Sequence, residues 1–120
     1  METTLYDGHG HPIAYIADDD EHSIYLWSGP AVAYIVDENL FGWNGRHLGW
    51  FVDGVLYNLK GYRVGSVRNK CSHAVYEGHA KYAKYIKHAK HARYAASARP
   101  TLKLSYSNED LSGLLKQGMV

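Results

Sequence analysis

Apolar and aromatic residues recur over the first 70 residues in short runs separated by glycine-containing turns. Four segments share one pattern: an apolar residue, an aromatic residue, three residues, a glycine, two residues, then an apolar and a small residue. They begin at Leu5, Ile24, Leu40 and Leu56, at spacings of 19, 16 and 16 residues. Two apolar runs around a short glycine turn predict a β-hairpin, so the chain opens with four tandem hairpin repeats.

The matched positions of the repeats indicate how each hairpin is built. A glycine closes every turn, and a two-residue loop with glycine second favours a type I′ turn with positive φ at both central positions. Beyond the turn we expect alternation, so that Leu48 and Trp50 share one face and the small Gly49 faces the other way. Because one hairpin alone is marginal, the copies must pack together. We predict a mainly β fold of four petals around a pseudo-fourfold axis. The turn glycines are Gly10, Gly29, Gly45 and Gly61.

Residues 80–99 form triplets of alanine, a basic residue, and tyrosine or histidine. On an α-helix this period drifts by about 60° per triplet and leaves no apolar face. In a polyproline-like segment it gives three stripes, with alanine against the protein, lysine and arginine towards water, and tyrosine or histidine on the third side. We predict an extended segment; a helix stays open, because alanine and lysine are good helix formers.

The tail after Pro100 carries two further patterns. Residues 102–106 alternate as a strand does, and Ser107 with Asp110 reads as a capping box before a short helix that ends at Gly118. The apolar stripe of that helix must be covered, so we expect a clasp that docks on the repeats or on a neighbouring copy. The chain thus divides into repeats (1–70), a basic triplet segment (71–100) and a clasp (101–120). The stripe residues are Leu111, Leu114 and Leu115.

The repeats, above all IYLWSGPAVAYI followed by LFGWNGRHLGWFVDGVLYNLKGYRVG, resemble uncharacterised bacterial proteins described as having a four-fold β-flower domain. The resemblance covers residues 5–70 and extends more weakly to YSNEDLSGLLKQG in the tail. It implies the same four-hairpin fold and implies no activity or site residues. One departure is Ser66, where the other copies have Tyr15, Tyr34 and Trp50, so we expect a less aromatic fourth petal.

Composition adds a cellular setting. The chain has 120 residues and one cysteine, Cys71, so no intramolecular disulfide can form. Its start lacks the basic and apolar regions of a signal peptide, and no stretch approaches the roughly 20 apolar residues of a membrane-spanning helix. We expect a soluble, cytoplasmic single domain without contact with a membrane.

Charge is distributed unevenly although the net charge is only +1. Residues 1–60 hold nine acidic and two basic residues, and residues 61–120 hold eleven basic and three acidic residues. The two halves should attract each other, within one chain or between copies. An anionic surface or nucleic acid is the alternative partner for the basic half.

Histidine and cysteine give little chemistry. Among eight histidines, the pairs His9/His11 and His88/His91 lack a third ligand at metal-site spacing. Cys71 lies near His73, yet catalytic partners are neighbours in space rather than in sequence. We therefore predict no metal, no cofactor and no catalytic residue, and an enzyme is the third-ranked function.

The aromatic residues are the best candidate for a site. Packing between strands explains each of them singly. Together, a fourfold arrangement could place them around a pocket for a small or chain-like ligand. Our first-ranked function is a non-enzymatic binding or assembly module, with a homo-oligomer formed through the tail; nucleic-acid binding by the triplet segment ranks second. The candidate ligand-binding residues are Tyr15, Tyr34, Trp50, Trp27 and Trp43.

Overall fold

A computed structural model of the chain describes residues 2–71 and 74–119. Each strand pairs antiparallel with the next, and the last pairs with the first to close a barrel. The predicted mainly β fold of four hairpins around a pseudo-fourfold axis is confirmed. It is a flattened body of 36 × 36 × 23 Å. The strands are β1 Thr3–Asp7, β2 Pro12–Ile16, β3 Ser23–Leu26, β4 Ala31–Val36, β5 Asn39–Gly42, β6 His47–Val52, β7 Val55–Asn58 and β8 Arg63–Ser66.

The loops within the repeats differ from the predicted type I′ turns. In the first loop the amide of Gly10 donates to the carbonyl of Asp7 (3.1 Å), and the amide of Asp7 donates to the carbonyl of His11 (3.0 Å). Such a three-residue loop ending in a left-handed glycine is typical of a type I turn with a glycine bulge, so only the glycine has positive φ. Two consecutive positive-φ residues occur instead between repeats, at Asp37–Glu38 and Asp53–Gly54.

One bulge in each hairpin decides which side chains face the barrel interior. In the third hairpin the pairing steps from Leu40–Gly49 to Phe41–His47 and skips Leu48. Leu48 therefore joins Leu40 in the interior cluster, whereas Trp50 lies in a separate cluster. Our expectation that Leu48 and Trp50 share a face was wrong, because the extra residue reverses the alternation at that point.

A short helix, α1 Leu111–Lys116, belongs to the same interior cluster. Its leucines Leu111, Leu114 and Leu115 are at most 2% exposed, so the apolar stripe is covered by the chain's own barrel. The N-cap is Asp110, whose carboxylate accepts from the amide of Gly113 (2.6 Å). The predicted cap Ser107 was three residues too early, since its hydroxyl accepts from the amide of Glu109 (3.0 Å) in the preceding turn.

Between a 3-10 turn at Arg68–Lys70 and α1, residues 74–107 form an extended segment without helix or strand, which we call the belt. The predicted alternating strand at 102–106 is reduced to one parallel bridge between Arg63 and Tyr106. Both edges of β8 already pair with β7 and β1, so only the backbone groups of Arg63 at its end are available.

The belt is tied to the four hairpin turns at regular intervals. The carbonyls of the turn glycines accept hydrogen bonds of 2.9–3.0 Å from belt amides nine residues apart. A quarter of a circle 36 Å across is about 28 Å, which nine extended residues span at about 3.1 Å each. Nine helical residues would span only about 13.5 Å, so the helical alternative cannot reach from turn to turn. The donors, in the order of their glycines, are Tyr76, Tyr85, Tyr94 and Lys103.

Within residues 2–71 and 74–119, no helix has the length and apolar character needed to cross a membrane.

Candidate functional site

The outer surface of the barrel carries aromatic pairs where neighbouring hairpins meet. We call these meeting lines seams: the first lies between β2 and β3, the second between β4 and β5, the third between β6 and β7, and the fourth between β8 and β1. In the first seam Tyr15 stacks on Tyr25 with ring centroids 5.6 Å apart, and Trp27 meets Tyr15 edge-on at 6.2 Å. The second seam repeats this with Tyr34 on Phe41 and Trp43 edge-on.

Basic side chains of the belt lie on the rings of the first two seams. The ammonium of Lys81 is 4.3 Å from the ring centroid of Tyr15, and that of Lys90 is 4.2 Å from the ring centroid of Tyr34. The two lysines are nine residues apart, so they take equivalent places in successive seams. A cation over an aromatic face is attracted by the ring quadrupole.

Acidic side chains of the repeats form ion pairs with the lysines of the belt. Glu2 pairs with Lys81 and with Lys84 (2.9 Å), Asp19 accepts from Lys87 (3.0 Å), and Glu21 pairs with Lys90. Our expectation that alanine faces the protein and lysine faces water was therefore reversed, because the acids and rings of the barrel attract the ammonium groups while the alanines stay exposed. The attraction expected between the acidic and basic halves occurs within one chain.

These contacts shift the pKa values of the carboxylates. Hydrogen bonding by Lys81, and then by Lys84, lowers the pKa of Glu2, and Lys90 does the same for Glu21. Partial burial alone would raise the pKa of Asp19, but hydrogen bonds from the Ser23 amide and the Lys87 ammonium outweigh it and lower that pKa to about 2. The three carboxylates are thus ionised at neutral pH and offset part of the belt's positive charge.

The third member of each triplet points away from these contacts and forms an exposed row, which we call the Tyr/His stripe. Its tyrosines are 58–68% exposed, and its histidines are exposed as well. Large contiguous patches of exposed apolar surface mark interaction sites in soluble proteins. The stripe consists of Tyr76, His79, Tyr82, Tyr85, His88, His91 and Tyr94.

Comparison with known families agrees with this architecture. The description "4-fold beta flower protein" belongs to a family whose sequence model matches residues 3–115. The chain belongs to this family. No curated protein and no solved structure matches the chain. The matched residues include all four hairpins, the belt and most of α1.

The five aromatic residues predicted to bind ligand are not brought together in this β-flower domain. Three of them, Tyr15, Tyr34 and Trp50, are only 2–3% exposed and lie in three different seams, outside the barrel rather than around its axis. Trp27 and Trp43 lie beside them and donate their indole N–H groups to belt carbonyls at His79 and His88. Their role as ligand-binding residues stays a prediction, and their observed partners are the belt and each other.

The fourth seam departs from the other three. Tyr6 is paired with Ser66 instead of a second ring, as the sequence pattern led us to expect. Gly8 stands where Trp27 and Trp43 stand in the second and third repeats. A Cβ on Gly8 would lie 3.0 Å from the ring of Tyr106, so the belt's last tyrosine occupies the tryptophan's place.

Histidine and cysteine are dispersed. No group of three metal-ligating side chains occurs in the described part of the chain. The Cys71 sulfur lies 3.9 Å from the carbonyl oxygen of Asp7, and His73, its neighbour in sequence, falls outside the described residues. His47 is buried against Phe41 and Trp50 and accepts from the Ser97 amide (3.0 Å); burial lowers its pKa.

Sequence reasoning missed the basic belt residues as partners of the seams, and it missed Tyr106. A signal for the first was present in the sequence. A three-residue period puts the same residue type at every ninth position, so successive turns meet equivalent belt residues. No pattern marks Tyr106, since its place depends on how the belt ends at the fourth turn.

Proposed function

We propose that this β-flower domain is a non-enzymatic binding module that holds an uncharged, chain-like ligand against the Tyr/His stripe. One observation carries the proposal: among the described residues, the large apolar side chains that are well exposed all belong to the belt, to the fourth hairpin turn or to the end of the chain after α1. They are Leu59, Tyr76, Tyr82, Tyr85, Ile86, Tyr94, Leu104 and Met119.

The spacing of the stripe favours a chain-like ligand. In an extended segment, residues three apart lie roughly 9 Å from each other, so successive rings can meet successive units of a polymer. Tyr82 and Tyr85 are one such neighbouring pair, and both exceed half exposure. Flat faces with a polar edge suit ligands that stack and also form hydrogen bonds.

Charge favours an uncharged ligand over nucleic acid. Phosphate contacts need free cations, and affinity through them falls steeply with salt. Lys81, Lys84 and Lys90 already pair with Glu2 or Glu21. Nucleic-acid binding is therefore the weaker alternative and becomes an outcome of the test.

A homo-oligomer would use the same exposed surface. The leucines from which we expected an oligomer lie in the chain's own barrel, leaving the stripe as the apolar surface for a second copy. Light scattering during the titrations below distinguishes self-association from ligand binding.

The test is a titration of the full chain with a neutral linear glucan and with oligothymidylate, each at low and high salt. Tyr82→Ala and Tyr85→Ala should each weaken glucan binding by about tenfold, since each removes a ring that buries apolar surface against the ligand at about 25 cal/mol per Å². Ile86→Ala is the matched control, because Ile86 is 94% exposed but belongs to the alanine position of the triplet. Affinity that ignores both tyrosines, or that appears for oligothymidylate alone and vanishes at high salt, contradicts the proposal.

A further inference from the structure

A tryptophan holds the belt between one turn contact and the next in the first two of its three intervals. In the first interval the indole of Trp27 donates to the carbonyl of His79 (2.8 Å), and the carbonyl of Trp27 accepts from the amide of Tyr82 (3.1 Å). The second interval repeats both bonds nine residues further on, with Trp43, His88 and His91. The intervals, bounded by the belt donors at the turn glycines, are residues 76–85, 85–94 and 94–103.

The third interval lacks both of these bonds. Leu59 stands where the earlier repeats have tryptophan, so no indole donor is present, and Pro100 stands where the belt's amide donor would be, so that N–H is missing as well. A different bond is made instead, from the amide of Ser97 to Nδ1 of His47 (3.0 Å). Among the described residues, it is the only hydrogen bond that a belt backbone group makes with the barrel between the two ends of this interval.

The bond from Ser97 requires a neutral His47 ring. A ring nitrogen that accepts a hydrogen bond carries no proton, so the single proton of the neutral ring is on Nε2. Protonation would put a second N–H on Nδ1, where it would point at the amide that now donates to it. Nε2 is buried without a hydrogen-bond partner. An imidazolium in the closed belt would therefore be a buried charge with both of its N–H groups unpaired, which is costly.

The barrel around His47 is apolar. The ring packs against Phe41 of β5 and Trp50 of β6, with centroids 5.2 and 4.9 Å apart. The carbonyl of Gly49 favours the charged form, but the effect of burial is larger and lowers the pKa of His47. The turn before His47 adds Arg46, which is exposed.

The charged belt residues on either side of Ser97 do not favour an imidazolium either. Arg93 lies over the ring of Phe41 (5.5 Å), and Arg99 pairs with Glu38 (3.0 Å). Both are cations, and the carboxylate of Glu38 is already neutralised by its partner. The belt side of the ring therefore offers positive charge and one amide donor, neither of which stabilises a proton on His47.

We propose that His47 is a pH-dependent latch of the belt, whose protonation releases residues 95–102 from the third seam while the first two intervals stay closed. The belt bonds of those two intervals involve only indole and backbone groups, which do not titrate. Release would uncover the cluster in which Leu102 packs with Trp50 and Tyr57. The latch lies outside the Tyr/His stripe and needs no ligand.

The direction of the pH dependence follows from the two pKa values of the ring. In the open belt the ring is solvated and has the ordinary pKa near 6.5, whereas in the closed belt its pKa is lower. The closed belt is therefore favoured above pH 6.5. As the pH falls from 6.5 towards the lowered value, the opening constant should rise by up to about tenfold per pH unit, because opening takes up one proton.

The experiment is NMR of the full chain between about pH 8 and about pH 5, the range in which histidine titrates. It follows the His47 ring protons, the hydrogen-exchange protection of the Ser97 amide and the NOEs from the Leu102 methyl groups to the rings of the third seam. As His47 protonates, protection of Ser97 should fall by up to about tenfold per pH unit after correction for intrinsic exchange, and the NOEs should weaken. Protection of the Tyr82 and His91 amides should stay constant.

Two variants separate the latch from a passive buried histidine. Ser97→Pro removes the donor without altering the barrel, and proline suits an extended segment. Because linkage is reciprocal, this variant should raise the pKa of His47 towards 6.5. Ala98→Pro is the matched control, since the amide of Ala98 makes no backbone hydrogen bond in the described part of the chain, and it should leave the titration of His47 unchanged. Circular dichroism at pH 8 checks that both variants are folded.

Four results overturn the inference. They are NOEs and Ser97 protection that persist once His47 is protonated, parallel loss of protection at Tyr82 and His91, a His47 that stays neutral until the whole domain unfolds, and the same His47 pKa in Ser97→Pro as in the unmodified chain. None of these measurements involves a glucan or any other ligand, so failure of the stripe proposal and failure of this one are distinguishable.

Discussion

Replacing Gly45 by alanine should destabilise the domain more than the same change at Gly54. Both glycines have positive φ, +90° and +79°, and a left-handed alanine costs about 1–2 kcal/mol. At Gly45 the new Cβ would lie 2.2 Å from the carbonyl oxygen of Ala92, a belt backbone atom. At Gly54 the nearest atoms are side-chain carbons of Val67 and Lys70 at 2.9 and 3.1 Å, which can rotate away.

The difference between the two losses of stability measures how strongly the belt is held to the third hairpin turn. Moving the belt off Gly45 breaks the hydrogen bond from the Tyr94 amide (2.9 Å) and loosens the one from His91 to Trp43 (3.0 Å). At about 0.5–1.5 kcal/mol per bond, we expect losses of about 3–4 kcal/mol for Gly45→Ala and about 1–2 kcal/mol for Gly54→Ala. Urea unfolding followed by tryptophan fluorescence gives both values, and hydrogen exchange of the Tyr94 amide reports the belt. Equal losses, or an unchanged Tyr94 exchange rate, would refute the reasoning.

Three further predictions concern the ionisation of Asp19, the burial of His47 and the packing of α1 in the barrel interior. The lowered pKa of Asp19, about 2 against a usual 3.8, means that its contribution to stability is present above about pH 4 and is lost as pH falls towards 2; melting temperatures across this window should fall less for Asp19→Asn than for the unmodified chain. Burial lowers the pKa of His47 below 6.5, so its neutral ring stabilises the fold above that pH and the stabilisation is lost as pH falls through the lowered value; an NMR titration in which His47 protonates at or above pH 6.5 would contradict this. Leu115→Ala should reduce the free energy of unfolding by about 2–5 kcal/mol, because Leu115 is fully buried in the barrel interior, and light scattering should give an unchanged mass if the leucine stripe serves only its own chain.

The hairpins could be predicted because each repeat carries its own turn and its own apolar runs. The bulges could not. An extra residue such as Leu48 leaves the sequence pattern unchanged, while it reverses the faces of every residue that follows in the strand. The helix N-cap was misplaced because Ser107 and Asp110 are both good capping residues. The hydroxyl of Ser107 accepts from Glu109 in the turn that ends the belt, so Asp110 caps the helix.

The candidate site was harder to predict than the fold. Sequence reasoning found the aromatic positions but not their cover, because Tyr15 and Lys81 are 66 residues apart and no local rule connects them. The direction of the lysines was predicted from solvation of a single segment. In the structure the barrel under the belt decides the direction of the lysines, because Glu2, Asp19 and Glu21 form ion pairs with them.

The nine-residue interval of the belt links two parts of the gene that have no sequence in common. Nine belt residues join each hairpin turn to the next, so duplication or loss of a petal changes the length that the belt must have. A five-petalled descendant would need nine more belt residues at the same time, and a deletion of one triplet would keep the chemical order of the stripe while breaking its alignment with every later turn. Petal number and belt length should therefore change together in evolution, in steps of one hairpin and nine residues.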